Sequence, residues 1–90
     1  MLSIRYSSRF KKDFKVIVKR GYDVRLLEEV LNYLVQEKKL PQEYLDHLLA
    51  GNYAGHRECH ITTDWLLIYK IEKGILTLSL TRTGTHNGLF

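Results

Sequence analysis

The segment His56–Trp65, which reads HRECHITTDW, concentrates side chains that can do chemistry. It holds two histidines, one cysteine, one arginine, two carboxylates and one tryptophan within ten residues. Imidazole, thiolate and carboxylate groups are the usual ligands of protein zinc sites. The same groups serve as general acids and bases without a metal. A polar strand edge with no function is the third interpretation, so spacing and local structure must decide.

The spacing argues against zinc. His56 and His60 lie four residues apart, which would place them on one face of a helix. The β-branched and aromatic residues that follow favour a strand, where the two positions are about 13 Å apart. That distance is too large for two ligands of one ion. Cys59 would point away from His60, and the chain has no second cysteine. We therefore expect no metal and no cofactor.

Strand alternation separates the segment into a polar and an apolar face. His56, Glu58 and His60 share one face, whereas Cys59 and Ile61 share the other. Because cysteine and isoleucine are natural core residues, the face that carries the histidines and the glutamate is expected to meet solvent.

The last predicted strand brings a cation to the same region. Leu76, Leu78 and Leu80 alternate and are expected in the core. Arg82 shares their alternation, so we expect it to emerge where the core ends. His86 lies just beyond, in the turn-rich segment TGTHNG.

These placements predict that titratable groups converge at one end of a sheet. The candidates are three histidines, two acids and one arginine: His47, His60, His86, Glu58, Asp64 and Arg82. The alternative for each histidine is a solvated or hydrogen-bonded side chain, and the alternative for the arginine is a structural ion pair.

The elements that must position these groups define an α+β domain. Residues 2–6 alternate like a strand, and Ser7 or Ser8 can cap a helix that ends near Gly21. Asp23 opens a second helix, predicted over 24–38. Two helices with so short a connection are expected to pack as an antiparallel hairpin. The apolar positions predicted to face the core are Phe10, Phe14, Ile17, Val18, Leu27, Val30, Leu31 and Leu34.

The second half of the chain predicts an irregular connection and then an antiparallel meander. Residues 38–55 contain proline and glycines without sustained periodicity, as in a partly ordered connection. Strands are predicted over 56–62, 64–72 and 75–83, with Lys73-Gly74 as a tight hairpin turn. The helices are expected to cover one face of this sheet.

Composition limits the class of protein. Ninety residues with 44% hydrophobic and 27% charged residues predict one globular domain, residues 1–90. No apolar run approaches the roughly 18 residues of a membrane span, and the basic N-terminus does not resemble a signal peptide. A single cysteine suits a reducing cytoplasm.

The positive charge is concentrated in the first predicted helix. The net charge is +4, and residues 9–20 contain six basic residues against the single acid Asp13. Such a segment can bind a polyanion such as RNA. The alternative is an ordinary solvated helix face. The basic residues are Arg9, Lys11, Lys12, Lys15, Lys19 and Arg20.

Several spaced blocks resemble the YafQ family of toxins, which belongs to the RelE/ParE superfamily of bacterial type II toxin–antitoxin systems. The segment DHLLAGNYAGHRECHITTDWLLIYKI at residues 46–71 carries the patterns DH…L.G, R(E/D).H and DW(L/I)LIYK. The segment LTRTGTHNGLF at residues 80–90 carries RTGTH..LF. The resemblance covers the whole chain in length and element order, and it is densest in these two segments.

The resemblance implies a metal-independent endoribonuclease, an mRNA interferase that cleaves messenger RNA in the decoding site of the ribosome. The implied catalytic residues are His47, His60, Asp64, Arg82 and His86. Glu58 and Phe90 stand at assisting positions, and His56 replaces an aromatic residue of the relatives and receives no role. The basic residues of the first helix resemble the surface with which the family contacts ribosomal RNA.

The chemistry fits these residue types independently. RNA is cleaved when its 2′-hydroxyl attacks the adjacent phosphate, which requires a base, an acid and stabilisation of the phosphorane charge. We expect Arg82 to stabilise that charge with its planar fork and His86 to be the general acid. His60 or Asp64 is expected to act as the base or to orient it, and His47 to hold the phosphate.

Two other functions compete with the nuclease. A ParE-like gyrase poison would share the fold but would not need the histidines and the RTGTH segment. A non-enzymatic nucleic-acid-binding module is suggested only by the basic helix. The family resemblance also implies a cognate antitoxin that binds the toxin in a heterotetramer or larger complex. The toxin would then contact operator DNA only through the antitoxin, and opposite charges would attract the two proteins to each other.

Overall fold

The structure is a computed structural model that describes residues 1–90, and it forms a five-stranded sheet with a helix hairpin on one face and a short C-terminal helix on the other. The helices are α1 (Ser8–Lys19), α2 (Val24–Val35) and the short α3 (His86–Leu89). The strands are β1 (Ser3–Tyr6), β2 (His47–Leu48), β3 (Arg57–Thr62), β4 (Trp65–Glu72) and β5 (Thr77–Gly84). This arrangement confirms the predicted α+β class with its strand, helix hairpin and antiparallel meander.

The strand order across the sheet is β1-β5-β4-β3-β2. The first strand, β1, lies parallel to β5, and the remaining neighbours are antiparallel. A parallel pair needs a long crossover connection, and here the two helices and the other three strands lie between β1 and β5 in the chain. The two-residue strand β2 lies inside the connection that the sequence predicted to be irregular, between two single-turn 3₁₀ helices.

The helix starts agree with the predicted capping residues. The Ser7 side chain accepts a hydrogen bond from the Phe10 amide, and the Asp23 side chain accepts one from the Arg25 amide. Gly21 has a φ of +81° just after α1, a conformation that costs glycine little. The second helix ends at Val35, three residues before the predicted boundary at residue 38, and Glu37 adopts a left-handed φ of +56°.

The main core lies between the helix hairpin and one face of the sheet. Phe10 and Ile17 of α1 are buried there, but Val18 is 49% exposed, so its predicted place in the apolar stripe is wrong. Leu31 of α2 is only half-buried. The fifteen core residues are Leu2, Phe10, Ile17, Leu27, Val30, Leu34, Val35, Leu40, Cys59, Ile61, Trp65, Leu67, Tyr69, Leu78 and Leu80.

The loop between β4 and β5 differs from the prediction. Residues Lys73–Ile75 form a single 3₁₀ turn instead of a two-residue hairpin turn, and Leu76 follows with a left-handed φ of +49°. Leu76 is 59% exposed, so the expectation that it fills the core is wrong. The reason is that β5 starts at Thr77, two residues after the predicted start at residue 75, and alternation then buries Leu78 and Leu80.

The opposite face of the sheet carries a second, smaller apolar cluster. Leu66 and Ile68 of β4 pack there against Leu89 of α3, with Leu49 and Tyr53 at the margin. The cluster covers only part of this face, and the rest is lined by polar side chains. None of the three helices has the length and apolar character needed to span a bilayer.

Candidate active site

A single row of side chains crosses the uncovered face of the sheet. The register pairs His47 with Glu58, Glu58 with Ile68, and Ile68 with Arg82, across four neighbouring strands. Directly paired residues project to the same face, and Ile68 belongs to the small cluster on the uncovered face. His47, Glu58 and Arg82 therefore project on that face too, with Glu58 and Arg82 separated by two strand spacings of about 4.8 Å each.

The alternation that places Arg82 in this row is not the one predicted from the sequence. A β-bulge interrupts the pairing between β4 and β5, because Ile68 pairs with Arg82 while Tyr69 pairs with Leu80. The extra residue, Thr81, reverses the alternation that follows it. Arg82 consequently projects opposite to Leu80, and the core position passes to Thr83. The expectation that Arg82 shares the alternation of the leucines is therefore wrong.

Thr83 satisfies its polar groups inside the core. Its hydroxyl accepts a hydrogen bond from the Trp65 indole at 2.8 Å and donates one to the Leu66 carbonyl at 2.7 Å. This pair of bonds fixes the strand just after Arg82.

Glu58 is the buried acid of the site. The residue is only 5% exposed, and its Oε1 lies 3.5 Å from Nε2 of His47 and 3.9 Å from Nε2 of His60. His60 reaches it because residues two apart on a strand share a face. The second oxygen, Oε2, is buried without a hydrogen-bond partner. A buried carboxylate between two imidazoles can orient both rings.

The two imidazoles differ in their surroundings. The Nδ1 of His47 lies 2.8 Å from the carbonyl of Leu45, which fixes the ring, and its side chain is half-exposed. His60 is more covered and also lines an open cavity of about 520 Å³ between the 3₁₀ turn at Gln42–Tyr44 and the β3–β4 turn. Both rings are therefore held at the surface, where a substrate can reach them.

Arg82 is held firmly in place. Asp13 of α1 accepts hydrogen bonds from its Nε at 2.7 Å and its Nη2 at 3.1 Å, and the Tyr53 hydroxyl lies 3.4 Å from its Nη1. The Asp13 hydrogen bond is the main cause that raises the pKa of Arg82 above its usual value, while burial opposes it. Arg82 is therefore cationic at every accessible pH.

The C-terminal residues complete the site through aromatic contacts. The rings of His86 and Phe90 lie 5.2 Å apart, and Phe90 meets Tyr53 edge-on at 6.1 Å. Tyr53 in turn contacts Arg82, so Phe90 is connected to the arginine through Tyr53, and His86 is connected to it through Phe90 and Tyr53. Both C-terminal rings are exposed. Leu89 anchors them, because it packs on the small apolar cluster.

Asp64 is not brought to the histidines. It accepts hydrogen bonds from Thr62 at 3.1 Å and from Tyr22 at 3.4 Å, and Tyr22 packs edge-on against Trp65 on the helix side of the sheet. No hydrogen bond or ion pair joins Asp64 to any histidine. The predicted convergence therefore holds for Glu58 but not for the second acid.

Sequence reasoning missed two residues of this region. Asp13 could have been noticed as the only acid in a basic segment, whereas Tyr53 gave no signal. The ring of His56 meets the ring of Tyr53 edge-on, with the ring centres 6.0 Å apart. The buried Nδ1 of His56 has no hydrogen-bond partner. The six basic residues at positions 9–20 are all exposed and form no ion pair.

The fold and the side chains define a small α+β protein with an acid–base and guanidinium site on the uncovered face of its sheet. A family model described as the bacterial toxin of a type II toxin–antitoxin system, YafQ, matches residues 2–90. The mRNA interferase toxin YafQ of Escherichia coli K12 is 40% identical over 88 residues, which cover 97% of this chain and 94% of the relative. The chain belongs to the YafQ family of type II toxins.

Solved structures agree with this assignment. A metal-bound toxin from Helicobacter pylori superposes with a TM-score of 0.94 at 46% identity, and the match covers all of both chains. The YafQ chain of the E. coli DinJ–YafQ complex superposes with a TM-score of 0.90 at 38% identity, covering 100% of this chain and 99% of that one.

The metal bound to the H. pylori toxin raises the question whether this chain can hold one. No group of three or more histidine, cysteine, aspartate or glutamate side chains is arranged to hold a metal ion here. Cys59, the softest ligand in the segment, is buried on the other face of the sheet.

Proposed function

We propose that this toxin is an endoribonuclease that cleaves messenger RNA on the ribosome by attack of the 2′-hydroxyl on the adjacent phosphate, and so stops translation and growth. The observation that carries the proposal is the row across the sheet, in which a buried carboxylate between two imidazoles shares a face with a fixed guanidinium. The name of the E. coli relative, an mRNA interferase, supports the same reaction.

The catalytic roles follow from the chemistry of each group. Arg82 stabilises the charge of the pentacoordinate phosphorane, because its fork can donate to two phosphate oxygens. His86 is the general acid that protonates the departing 5′-oxygen. Its exposed position next to Phe90 supports that role, since an exposed aromatic ring can stack on a nucleotide base.

The base is best assigned to His60, supported by Glu58. An imidazole beside a buried carboxylate can accept the 2′-hydroxyl proton while the carboxylate stabilises the resulting imidazolium. His47 contacts the same carboxylate from the other side and holds the phosphate. Asp64 fits the role of base less well, because its oxygens are engaged by Thr62 and Tyr22.

The basic face of α1 is the proposed ribosomal RNA contact. Its six exposed cations are free of internal ion pairs, so they can approach RNA phosphates and release counterions without breaking contacts in the protein. Because the decoding site lies on the ribosome, the proposed place of action is the cytoplasm.

The decisive experiment is cleavage of mRNA on programmed ribosomes by purified variants. Arg82→Ala and His86→Ala are each expected to slow cleavage by roughly two orders of magnitude or more. Arg5→Ala is the matched control, since Arg5 is exposed on β1 and forms no side-chain hydrogen bond or ion pair. If both site variants cleave at the normal rate, the assignment is wrong.

The metal-independent character of the reaction needs its own measurement. A chelator selective for transition metals leaves the Mg²⁺ of the ribosome in place, and cleavage is expected to continue in its presence. Loss of cleavage that is restored by added copper or zinc would instead assign the reaction to a metal enzyme.

The partner of this toxin is proposed to be an antitoxin. The E. coli relative forms the DinJ–YafQ complex, and the net charge of +4 of this chain favours an acidic partner. Co-expression with the antitoxin is expected to restore growth and to give a heterotetramer or larger complex by light scattering, with operator DNA bound only through the antitoxin.

A further inference from the structure

Asp13 is the only acid among residues 9–20, and it points inward from an otherwise basic helix. Its side chain is 17% exposed, and the Arg82 side chain that it contacts is 11% exposed. A carboxylate among so many cations would be expected to pair with a lysine on its own helix. Instead it forms its ion pair with Arg82, which lies 69 residues away in the sequence.

The reason for this contact is the free edge of β5. The first strand, β1, pairs with β5 only as far as Leu80, so the backbone of β5 beyond that point has no neighbouring strand on this side. The Thr83 amide donates to Oδ2 of Asp13 at 3.1 Å in place of a strand partner. Asp13 therefore contacts both the backbone after the bulge and the side chain that the bulge turns to the uncovered face.

The geometry of the pair leaves part of the guanidinium free. Asp13 occupies the side edge of the group, formed by Nε and Nη2. The end of the group, formed by Nη1 and the second proton of Nη2, makes a single hydrogen bond, from Nη1 to the Tyr53 hydroxyl at 3.4 Å. A phosphate can therefore bind the end of the fork while Asp13 holds the side.

We propose that Asp13 is a positioning residue for RNA cleavage, which acts through Arg82 by holding its guanidinium ready for the scissile phosphate. The inference rests on the proposed nuclease function. An unanchored arginine would lose side-chain entropy on each encounter with substrate, and its fork would not be directed at the phosphorane. A displacement of about 1 Å can slow an enzyme by roughly two orders of magnitude.

Single-turnover cleavage on programmed ribosomes tests this role. Asp13→Asn keeps the size of the side chain but removes its charge, so it is expected to lower the cleavage rate by roughly 10- to 100-fold. The ribosome concentration at half-maximal rate should not change, because the proposed role of Asp13 is to hold Arg82 and not to bind the RNA. Asp23→Asn is the matched control, because Asp23 also accepts two hydrogen bonds from an arginine side chain, that of Arg25, but this pair is exposed to solvent.

A double-mutant cycle separates positioning from stability. In the background of Arg82→Ala, Asp13→Asn is expected to have no further effect on the cleavage rate, because Asp13 acts only through the missing arginine. In addition, methylguanidinium is expected to restore part of the activity of Arg82→Ala when Asp13 is present and none when it is replaced by asparagine. A purely structural carboxylate would produce neither result.

The outcomes are distinguishable. If Arg82→Ala is slow but Asp13→Asn cleaves like the wild type, the positioning role is refuted while the nuclease proposal survives. Equal losses from Asp13→Asn in both backgrounds also refute it, since the residue would then act through the fold. If Arg82→Ala itself cleaves normally, both proposals fail together. Should Asp13→Asn not fold, the methylguanidinium measurement on Arg82→Ala alone still decides, because absence of any rescue contradicts an anchored guanidinium site.

Discussion

Replacing Glu58 by methionine is predicted to stabilise this protein while abolishing its cleavage activity. The substitution retains a flexible side chain of similar length and removes the carboxylate. Glu58 is only 5% exposed, and its Oε2 has no hydrogen-bond partner. An unsatisfied buried polar atom costs about 1–3 kcal/mol, and more when the group is charged.

The opposing contribution of the two imidazoles is smaller. Oε1 lies 3.5 Å from His47 and 3.9 Å from His60, distances at which no hydrogen bond forms. The side chain of His47 is 50% exposed and that of His60 is 27% exposed, so solvent screens both pairs. Such pairs contribute about 0–1 kcal/mol each. The desolvation penalty is therefore expected to exceed the attraction, and Glu58→Met should raise the free energy of unfolding by up to about 3 kcal/mol.

Urea unfolding provides the assay, because Trp65 is the only tryptophan and is fully buried. Its fluorescence should report the transition without competing signals. Glu58→Gln is one control and should be nearly neutral, since the amide replaces one unsatisfied atom by another. Ile68→Met is the second control, because Ile68 is the apolar neighbour in the same row and its replacement should cost less than about 1.5 kcal/mol.

The result that refutes this reasoning is a lower urea midpoint for Glu58→Met than for the wild type at an unchanged slope. The carboxylate would then be a net stabilising group, and its position between two imidazoles would need no functional explanation. Activity must be measured on the same samples. Retention of normal cleavage by a stabilised Glu58→Met variant would remove Glu58 from the proposed site.

Three further predictions concern the rest of the molecule. Burial, followed by the charges of Asp46 and Glu58, raises the pKa of Cys59, so a disulfide reagent should label the thiol only at the rate at which the protein opens. Since the unfolded thiol ionises near pH 8.5 and the native one does not, the free energy of unfolding should fall as the pH rises above that value, and less steeply in Cys59→Ala. Tyr69→Phe removes the hydrogen bond that the buried phenol donates to Asp46. Calorimetry should show that the free energy of unfolding falls by about 1.5–3 kcal/mol, whereas an unchanged free energy of unfolding would contradict a charge-assisted hydrogen bond. Leu76→Gly removes the backbone strain of an exposed residue in the left-handed conformation and should raise the free energy of unfolding by up to about 1 kcal/mol. A lower free energy of unfolding would show that the Leu76 side chain packs against the protein in solution.

The helices were predictable from the sequence because their signals are local. Ser7 and Asp23 cap α1 and α2 as expected, and the apolar positions that define the core of each helix are mostly the predicted ones. Val18 is the exception, since its side chain is 49% exposed although its spacing matches the apolar stripe. Local propensity fixes the existence of such helices better than their ends, and the early end of α2 at Val35 illustrates this.

The details of the sheet were not predictable in the same way. The bulge at Thr81 has no marker in the sequence, because it arises where β5 must satisfy β4 on one side and the end of β1 on the other. The two-residue strand β2 is also set by its partner, since His47 and Leu48 pair with residues of β3. Both features decide which side chains face each other, so the row of His47, Glu58 and Arg82 required the structure.

The bulge links the stability of this fold to its proposed chemistry. A strand with uninterrupted alternation would direct Arg82 toward the helices, where a guanidinium would need a buried counterion and could not meet a substrate. With the bulge, Thr83 takes the core position and satisfies its hydroxyl through Trp65 and Leu66, while Arg82 reaches the face that holds Glu58. A variant that deletes Thr81 removes the extra residue but leaves Arg82 opposite Ile68 on the uncovered face, so cleavage should persist if the shortened protein remains folded. Loss of cleavage by a folded Thr81 deletion would show that the reaction depends on the bulge itself and not only on the face to which Arg82 projects.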